Sequence, residues 1–170
     1  TKKLAEALLG KLNEEAICVS LEDISFEVTD EAYLKKRDSL IAKGDYDDDM
    51  FDLARQFSQA DTIVIAAPYW DLSFPACLKQ YFEQINVIGI TFEYSPEGFP
   101  IPLCKADRLY YVTTAGGSYV PEEFGFGYVK ALAQGFYGIK DCMQIRVTGL
   151  DIEDADVDAL MEEACSKVTT

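Results

Sequence analysis

The chain has 170 residues, 49% hydrophobic and 26% charged, a size and balance suited to one soluble domain with its own core. Its formal net charge of −15, with a pI near 4.2, argues against nucleic acid or an anionic membrane as partner. No apolar run approaches the ~20 residues that span a bilayer, the first residues do not read as a secretory signal, and the lack of histidine removes Ser-His and Cys-His catalysis and imidazole metal sites.

Leu4, Ala5, Leu8, Leu9 and Leu12 recur at helical spacing, which predicts a helix from the outset, with Gly10 inside it and Thr1 as its candidate cap. Residues 16–21 read as a short strand. Residues 29–42 and 47–59 read as surface helices parted by Gly44 and an acidic turn. The β-branched run 62–67 reads as a fully buried strand that stops at Pro68, and a helix follows from Pro75 to about Ile88. Residues 89–103 carry Gly89, Pro96, Gly98, Pro100 and Pro102, so they read as a loop excursion with a short extended piece at 90–94. A second buried strand is predicted at 108–114, a helix at 124–137, a last strand at 144–149 and a last helix at 154–168. Acidic residues stand in the first turn of that last helix, as its dipole favours. Strands alternating with helices predict one doubly wound α/β domain over residues 1–170, a parallel sheet with helices on both faces. Such a domain normally opens with a strand and a phosphate loop, so roughly 15–20 residues of that kind are expected before Thr1.

Two loops stand out as ligand sites. Pro68-Tyr69-Trp70-Asp71-Leu72-Ser73-Phe74-Pro75 offers aromatic and apolar surface together with backbone polar groups at the carboxyl end of a strand, where open α/β sheets bind ligands. Thr113-Thr114-Ala115-Gly116-Gly117-Ser118-Tyr119 follows the next buried strand, and its two glycines allow close backbone approach. On consecutive strands, both loops face one crevice. The cysteines at 18, 77, 104, 142 and 165 are scattered and read as reduced, mostly buried thiols of a cytoplasmic protein. The acidic runs 45–49 and 151–158 lack the spacing of a calcium loop and read as solvated turns, so no metal site is expected. Aromatic residues in the loop near 92–94 cannot all be buried within one subunit, which suggests a protein contact or a shared pocket.

The stretch Ala-Pro-Tyr-Trp-Asp-Leu-Ser-Phe-Pro-Ala-Cys-Leu-Lys at 67–79 resembles the flavin loop of the FMN-dependent NADH-azoreductases and NAD(P)H:quinone oxidoreductases of flavodoxin-like fold. Gly89-Ile90-Thr91-Phe92-Glu93-Tyr94 resembles their G-x-T-F-x-Y segment, residues 113–119 their second flavin loop, and Gly135-Phe136-Tyr137-Gly138-Ile139 the end of the helix after it. The resemblance implies FMN as cofactor, with Pro68, Tyr69, Trp70, Asp71 and Leu72 along the isoalloxazine. Thr113, Thr114, Ala115, Gly116 and Gly117 would stand at its pyrimidine edge, with Tyr119 close by and Thr1 left of the phosphate loop. It further implies a two-fold homodimer in which Phe92, Tyr94, Phe124 and Phe136 line a shared substrate pocket.

The implied activity is transfer of electrons from NADH or NADPH to a quinone, azo compound or other small aromatic acceptor in two half-reactions. No side chain is assigned a catalytic role, because the flavin carries the chemistry. Three residues depart from the family pattern: Asp71 where Asn is common, Ala115 where a polar or basic residue is common, and Trp70 where Tyr is usual. A flavodoxin-type electron carrier and a flavodoxin-like binding module without cofactor are the alternatives.

Overall fold

The computed structural model describes residues 1–170. In chain order the elements are α1 (Lys2–Leu12), α2 (Glu31–Lys43), α3 (Asp52–Gln59), β1 (Thr62–Ala66), α4 (Ala76–Ile85), β2 (Phe92–Tyr94), β3 (Pro100–Pro102), β4 (Arg108–Thr114), α5 (Phe126–Leu132), β5 (Asp141–Val147) and α6 (Val157–Lys167). A 3-10 turn at Asp49–Phe51 leads into α3, and a π-helical turn at Ala133–Tyr137 extends α5.

β1, β4 and β5 form a parallel sheet in the order β1-β4-β5, with Thr62 opposite Arg108 and Arg108 opposite Asp141. The central strand divides the core by its alternation. Leu109 and Tyr111 face a cluster built with Phe51, Phe57, Phe82, Val129 and Tyr137 from the α3, α4 and α5 side. Tyr110 and Val112 face the opposite cluster, with Leu4 and Leu8 of α1 and Met161 of α6. Burial on both faces explains why β4 reads as a continuous apolar run, and removal of each such side chain from water contributes about 2–3 kcal/mol. The expected layered α/β arrangement, helices on both faces of a parallel sheet, is therefore present.

Several local expectations fail for physical reasons. Residues 16–21 form no strand. A strand exists by pairing, no segment runs alongside this one, and Ile17 is 79% exposed. β1 is only half buried: Ile63 and Ile65 enter the core while Ala66 is exposed, because β1 lies at the sheet edge with a ladder partner on one side only. The helix predicted from 154 starts at Val157, since the Asp156 carboxylate accepts from the Ala159 N–H at 3.0 Å and caps it there. Thr1 occupies the cap position of α1, but its hydroxyl does not cap the helix. The cysteines are all free, yet none is buried, and Cys18 is exposed.

The 86–103 excursion folds as an antiparallel hairpin of β2 and β3, pairing Phe92 with Pro102 and Tyr94 with Pro100. Its base is fixed by Thr91, fully buried, whose hydroxyl donates to the Ile85 carbonyl at 2.7 Å and accepts from the Val87 N–H at 3.2 Å. Against the hairpin lies the end of the π-helical turn. Gly138 takes φ +76°, and a Cβ there would stand 2.7 Å from the Pro102 ring.

Candidate functional site

The candidate site residues gather where β1 and β4 end. The first loop keeps the ladder going past β1: the Ala67 N–H donates to the Val112 carbonyl at 3.0 Å and the Tyr69 N–H to the Thr114 carbonyl at 2.9 Å. The chain then reverses tightly. Trp70 and Ser73 exchange backbone hydrogen bonds of 3.1 and 2.8 Å, and the two residues between them, Asp71 (φ +48°) and Leu72 (φ +69°), are both left-handed. This is the pattern of a primed hairpin turn, normally filled by Asn and Gly. Two non-glycine residues in that region carry strain of about 1–3 kcal/mol each. The turn lifts Trp70, 59% exposed, and Leu72, 44% exposed, into solvent at the strand end.

The second loop is fastened to the residues after β5. The Ala115 N–H donates to the Val147 carbonyl at 2.9 Å, the Leu150 N–H to the Ala115 carbonyl at 3.2 Å, and the Asp151 N–H to the Gly116 carbonyl at 2.9 Å. Gly116 lets Asp151 lie close against the loop, since a Cβ on it would fall 1.9 Å from the Asp151 carboxylate and push that side chain aside. The first loop is joined to the chain beyond the second by one side chain: the Ser73 hydroxyl donates to the Phe124 carbonyl at 2.6 Å. Thr1 closes a third side, its hydroxyl 2.5 Å from that of Thr114 across 113 residues of chain.

Beneath the loops lie three buried hydroxyls that no protein group satisfies: Tyr69 Oη, Tyr111 Oη and Thr113 Oγ1. Gly125, before α5, packs over the first two, with Tyr111 Oη 3.7 Å and the Tyr69 ring 3.9 Å from where its Cβ would be. Burial pushes the Tyr111 phenol up to about 12, and burial, with Tyr119 and Glu123 nearby, raises that of Tyr69. These groups therefore stay neutral near physiological pH and serve as hydrogen-bonding groups. The backbone N–H groups of Asp71, Leu72, Gly116 and Gly117 are also left free by the fold's own bonds. The arrangement thus presents apolar surface, unused donors and neutral hydroxyls at one end of the sheet, which suits a flat ring with a polar edge.

The structure brings Thr1, Pro68–Leu72 and Thr113–Gly117 together through these bonds, with Phe124 joined through Ser73. Tyr119 follows on the same loop and is exposed. Ala115 differs from the rest: its side chain is buried and both its backbone groups are spent on the fold. Phe92, Tyr94 and Phe136 form a separate edge-to-face group, with Phe92 ring centroids 5.3 Å from Tyr94 and 4.9 Å from Phe136, on the hairpin and the π-helical turn. Phe92 is buried there and Tyr94 is exposed. No hydrogen bond links this group to the loops. Sequence reasoning placed Ser73 in the first loop without a role and missed Tyr111, Gly125 and Asp151. The only local signal for Tyr111 is its place in a strand, Arg-Leu-Tyr-Tyr-Val-Thr-Thr, that carries hydroxyls on Tyr110, Tyr111, Thr113 and Thr114.

A family model described as flavodoxin-like fold matches residues 1–170. The FMN-dependent NADH:quinone oxidoreductase of Clostridium beijerinckii is 43% identical over 116 residues, covering 67% of this chain and 58% of that protein. The chain thus spans less than two thirds of that relative's length. The FMN-dependent NADH:quinone oxidoreductase 2 of Clostridium acetobutylicum is 38% identical over 164 residues, 92% of this chain and 80% of that protein. Among solved structures, the FMN-dependent NADH-azoreductase of Bacillus anthracis in complex with FMN matches with a TM-score of 0.75 and 24% identity, over 97% of this chain and 85% of that one. At that identity the likeness speaks to the fold.

Proposed function

The chain belongs to the flavodoxin-like fold family, and on that premise we propose that it is an FMN-dependent oxidoreductase, passing electrons from NADH or NADPH to quinones, azo compounds or similar aromatic acceptors. The observation that carries this reading is the junction of two strand-end loops that leave Trp70 and Leu72 exposed and the N–H groups of Asp71, Leu72, Gly116 and Gly117 unused.

The residues fit a flavin. Pro68 to Leu72 would lie along its ring system, the free amides and the orphaned Thr113 hydroxyl would meet its polar edge, and Thr1 would stand towards its phosphate. When bound, FMN supplies the two-electron redox chemistry. The chain's own part is positioning and shielding. Trp70, Leu72, Tyr119 and Phe124 offer exposed apolar surface that would border the ring, where donor and acceptor can rest in turn, and they would keep water from the reacting faces. Tyr69 and Tyr111, neutral and held by packing, set the floor beneath. With no histidine among these residues, no imidazole supplies the protons that accompany reduction of the acceptor.

The reading includes a homodimer. Tyr94, Phe99 (70% exposed), Ile101 and Leu103 give the β2–β3 hairpin an apolar outer surface of the kind that subunits cover. It also places the protein in the cytoplasm, in keeping with five unpaired cysteines. No helix is long and apolar enough to cross a membrane.

The test is spectroscopic and kinetic. Protein incubated with FMN should retain it through desalting, bleach with NADH without oxygen, and regain colour when a quinone is added. Trp70→Ala should weaken FMN or acceptor binding by roughly 2–10-fold, the range expected for one lost aromatic contact. Unchanged flavin affinity together with unchanged turnover removes Trp70 from the site. A protein that holds FMN yet leaves NADH unoxidised with every acceptor is an electron carrier instead.

A further inference from the structure

The loops leaving the carboxyl ends of β1, β4 and β5, residues 67–75, 115–125 and 148–156, contain seven carboxylates and no lysine or arginine. The bonds described above draw all three to one end of the sheet. The nearest guanidinium in sequence, that of Arg146 on β5, is already committed: it lies 3.4 Å from the Glu122 carboxylate and 3.4 Å from the Val120 carbonyl. Asp71 has no ion-pair partner and sits at the tip of the primed turn, between the exposed Trp70 and Leu72. The reciprocal bonds of Trp70 and Ser73 hold it there. A ring laid on Trp70 and Leu72 therefore comes within a few ångströms of a fixed, uncompensated negative charge, on a chain whose net charge is already −15.

We propose that Asp71 acts as a charge filter for the acceptor: the crevice admits flat aromatic acceptors that are neutral or cationic and discriminates against those bearing sulfonate or carboxylate groups. This specificity rests on the oxidoreductase reading. At short range the electron donor is not opposed in the same way, because its dihydronicotinamide ring is neutral and becomes cationic on giving up hydride, while its pyrophosphate meets the same long-range field as any other anion. Two scales contribute. The field of the three loops steers anionic molecules away and is screened by salt, while Asp71 acts at short range on the docked ring.

The experiment uses three azo acceptors that share one chromophore, one uncharged, one sulfonated and one carrying trimethylammonium. For each, kcat/KM is measured with FMN-loaded protein and saturating NADH across ionic strength. The sulfonated dye should be the poorest acceptor at low salt and gain on the neutral one as salt rises, while the cationic dye loses. Asp71→Asn, which suits the left-handed turn, should raise the sulfonated-to-neutral ratio about threefold, the effect of one charge at ~6 Å in water. Equal ratios in wild type and variant overturn the assignment to Asp71, and ratios independent of salt overturn the filter altogether. If the protein neither retains FMN nor reduces any of the three dyes, the oxidoreductase reading fails and takes this inference with it. If the neutral dye is reduced and charge makes no difference, only the filter fails.

Discussion

Replacing Thr91 by valine tests how the β2–β3 hairpin is held to the core. The side chain is fully buried, and its hydroxyl bridges the last turn of α4 to the start of the excursion, donating to the Ile85 carbonyl at 2.7 Å and accepting from the Val87 N–H at 3.2 Å. Valine keeps the shape and removes both bonds. The Val87 N–H retains a second acceptor in the Ile85 carbonyl at 2.9 Å, so the loss is partly compensated. The cost should therefore be about 1–2 kcal/mol, within the range for a buried hydroxyl bond. For a chain of this size that lowers Tm by roughly 2–8 °C. Guanidinium unfolding followed by circular dichroism should show a lower midpoint with unchanged slope, and the Gly89 amide, which donates to the Phe92 carbonyl at 2.8 Å, should exchange faster. A Thr91→Val protein within ~0.3 kcal/mol of wild type would mean that water in the unfolded chain matches these bonds, and the threonine could not then be what anchors the hairpin.

Gly138→Ala combines a left-handed φ of +76° with a Cβ only 2.7 Å from the Pro102 ring, so calorimetry should show a loss of about 2–4 kcal/mol. At alkaline pH the buried phenols decide stability. Tyr81 and Tyr111 are pushed by burial from an ordinary 10.0 up to about 12, and Tyr137 is raised as well. The folded form thus holds their protons after the unfolded form has released them, so stability is complete below about pH 10 and is lost from there towards 12. Tyrosinate absorbance should rise together with the loss of helical signal in that window, and a gradual rise in fully folded protein would contradict it. Burial also raises the Cys104 thiol to about 12, so a disulfide-exchange reagent should modify exposed Cys18 first and Cys104 last.

How much the sequence revealed depends on whether a feature is local. β4 is legible because burial on both faces leaves an unbroken run, Leu109 to Val112, and its predicted bounds match the observed Arg108–Thr114. Residues 16–21 have comparable apolar content, but a strand needs a neighbour, which no local pattern reveals. The same holds at the site. Trp70 and the glycine pair are visible as loops at strand ends, whereas the meeting of Tyr69 with Tyr111 and the bond from Ser73 to Phe124 join residues 42 and 51 positions apart. The left-handed pair Asp71 and Leu72 also runs against local preference, since Asn-Gly would be expected there. A rule broken at a strand end, where ligands bind, is where tertiary structure and function override propensity.

The hydrogen bond between the Ser73 hydroxyl and the Phe124 carbonyl has a thermodynamic consequence. Fluctuations of the two segments it joins are coupled, so whatever quiets one has already met part of the entropic cost of quieting the other. A first guest resting on Trp70 would then leave the Tyr119–Phe124 segment stiller for the next. Backbone relaxation in both segments should slow in step, and Ser73→Ala should weaken that correlation.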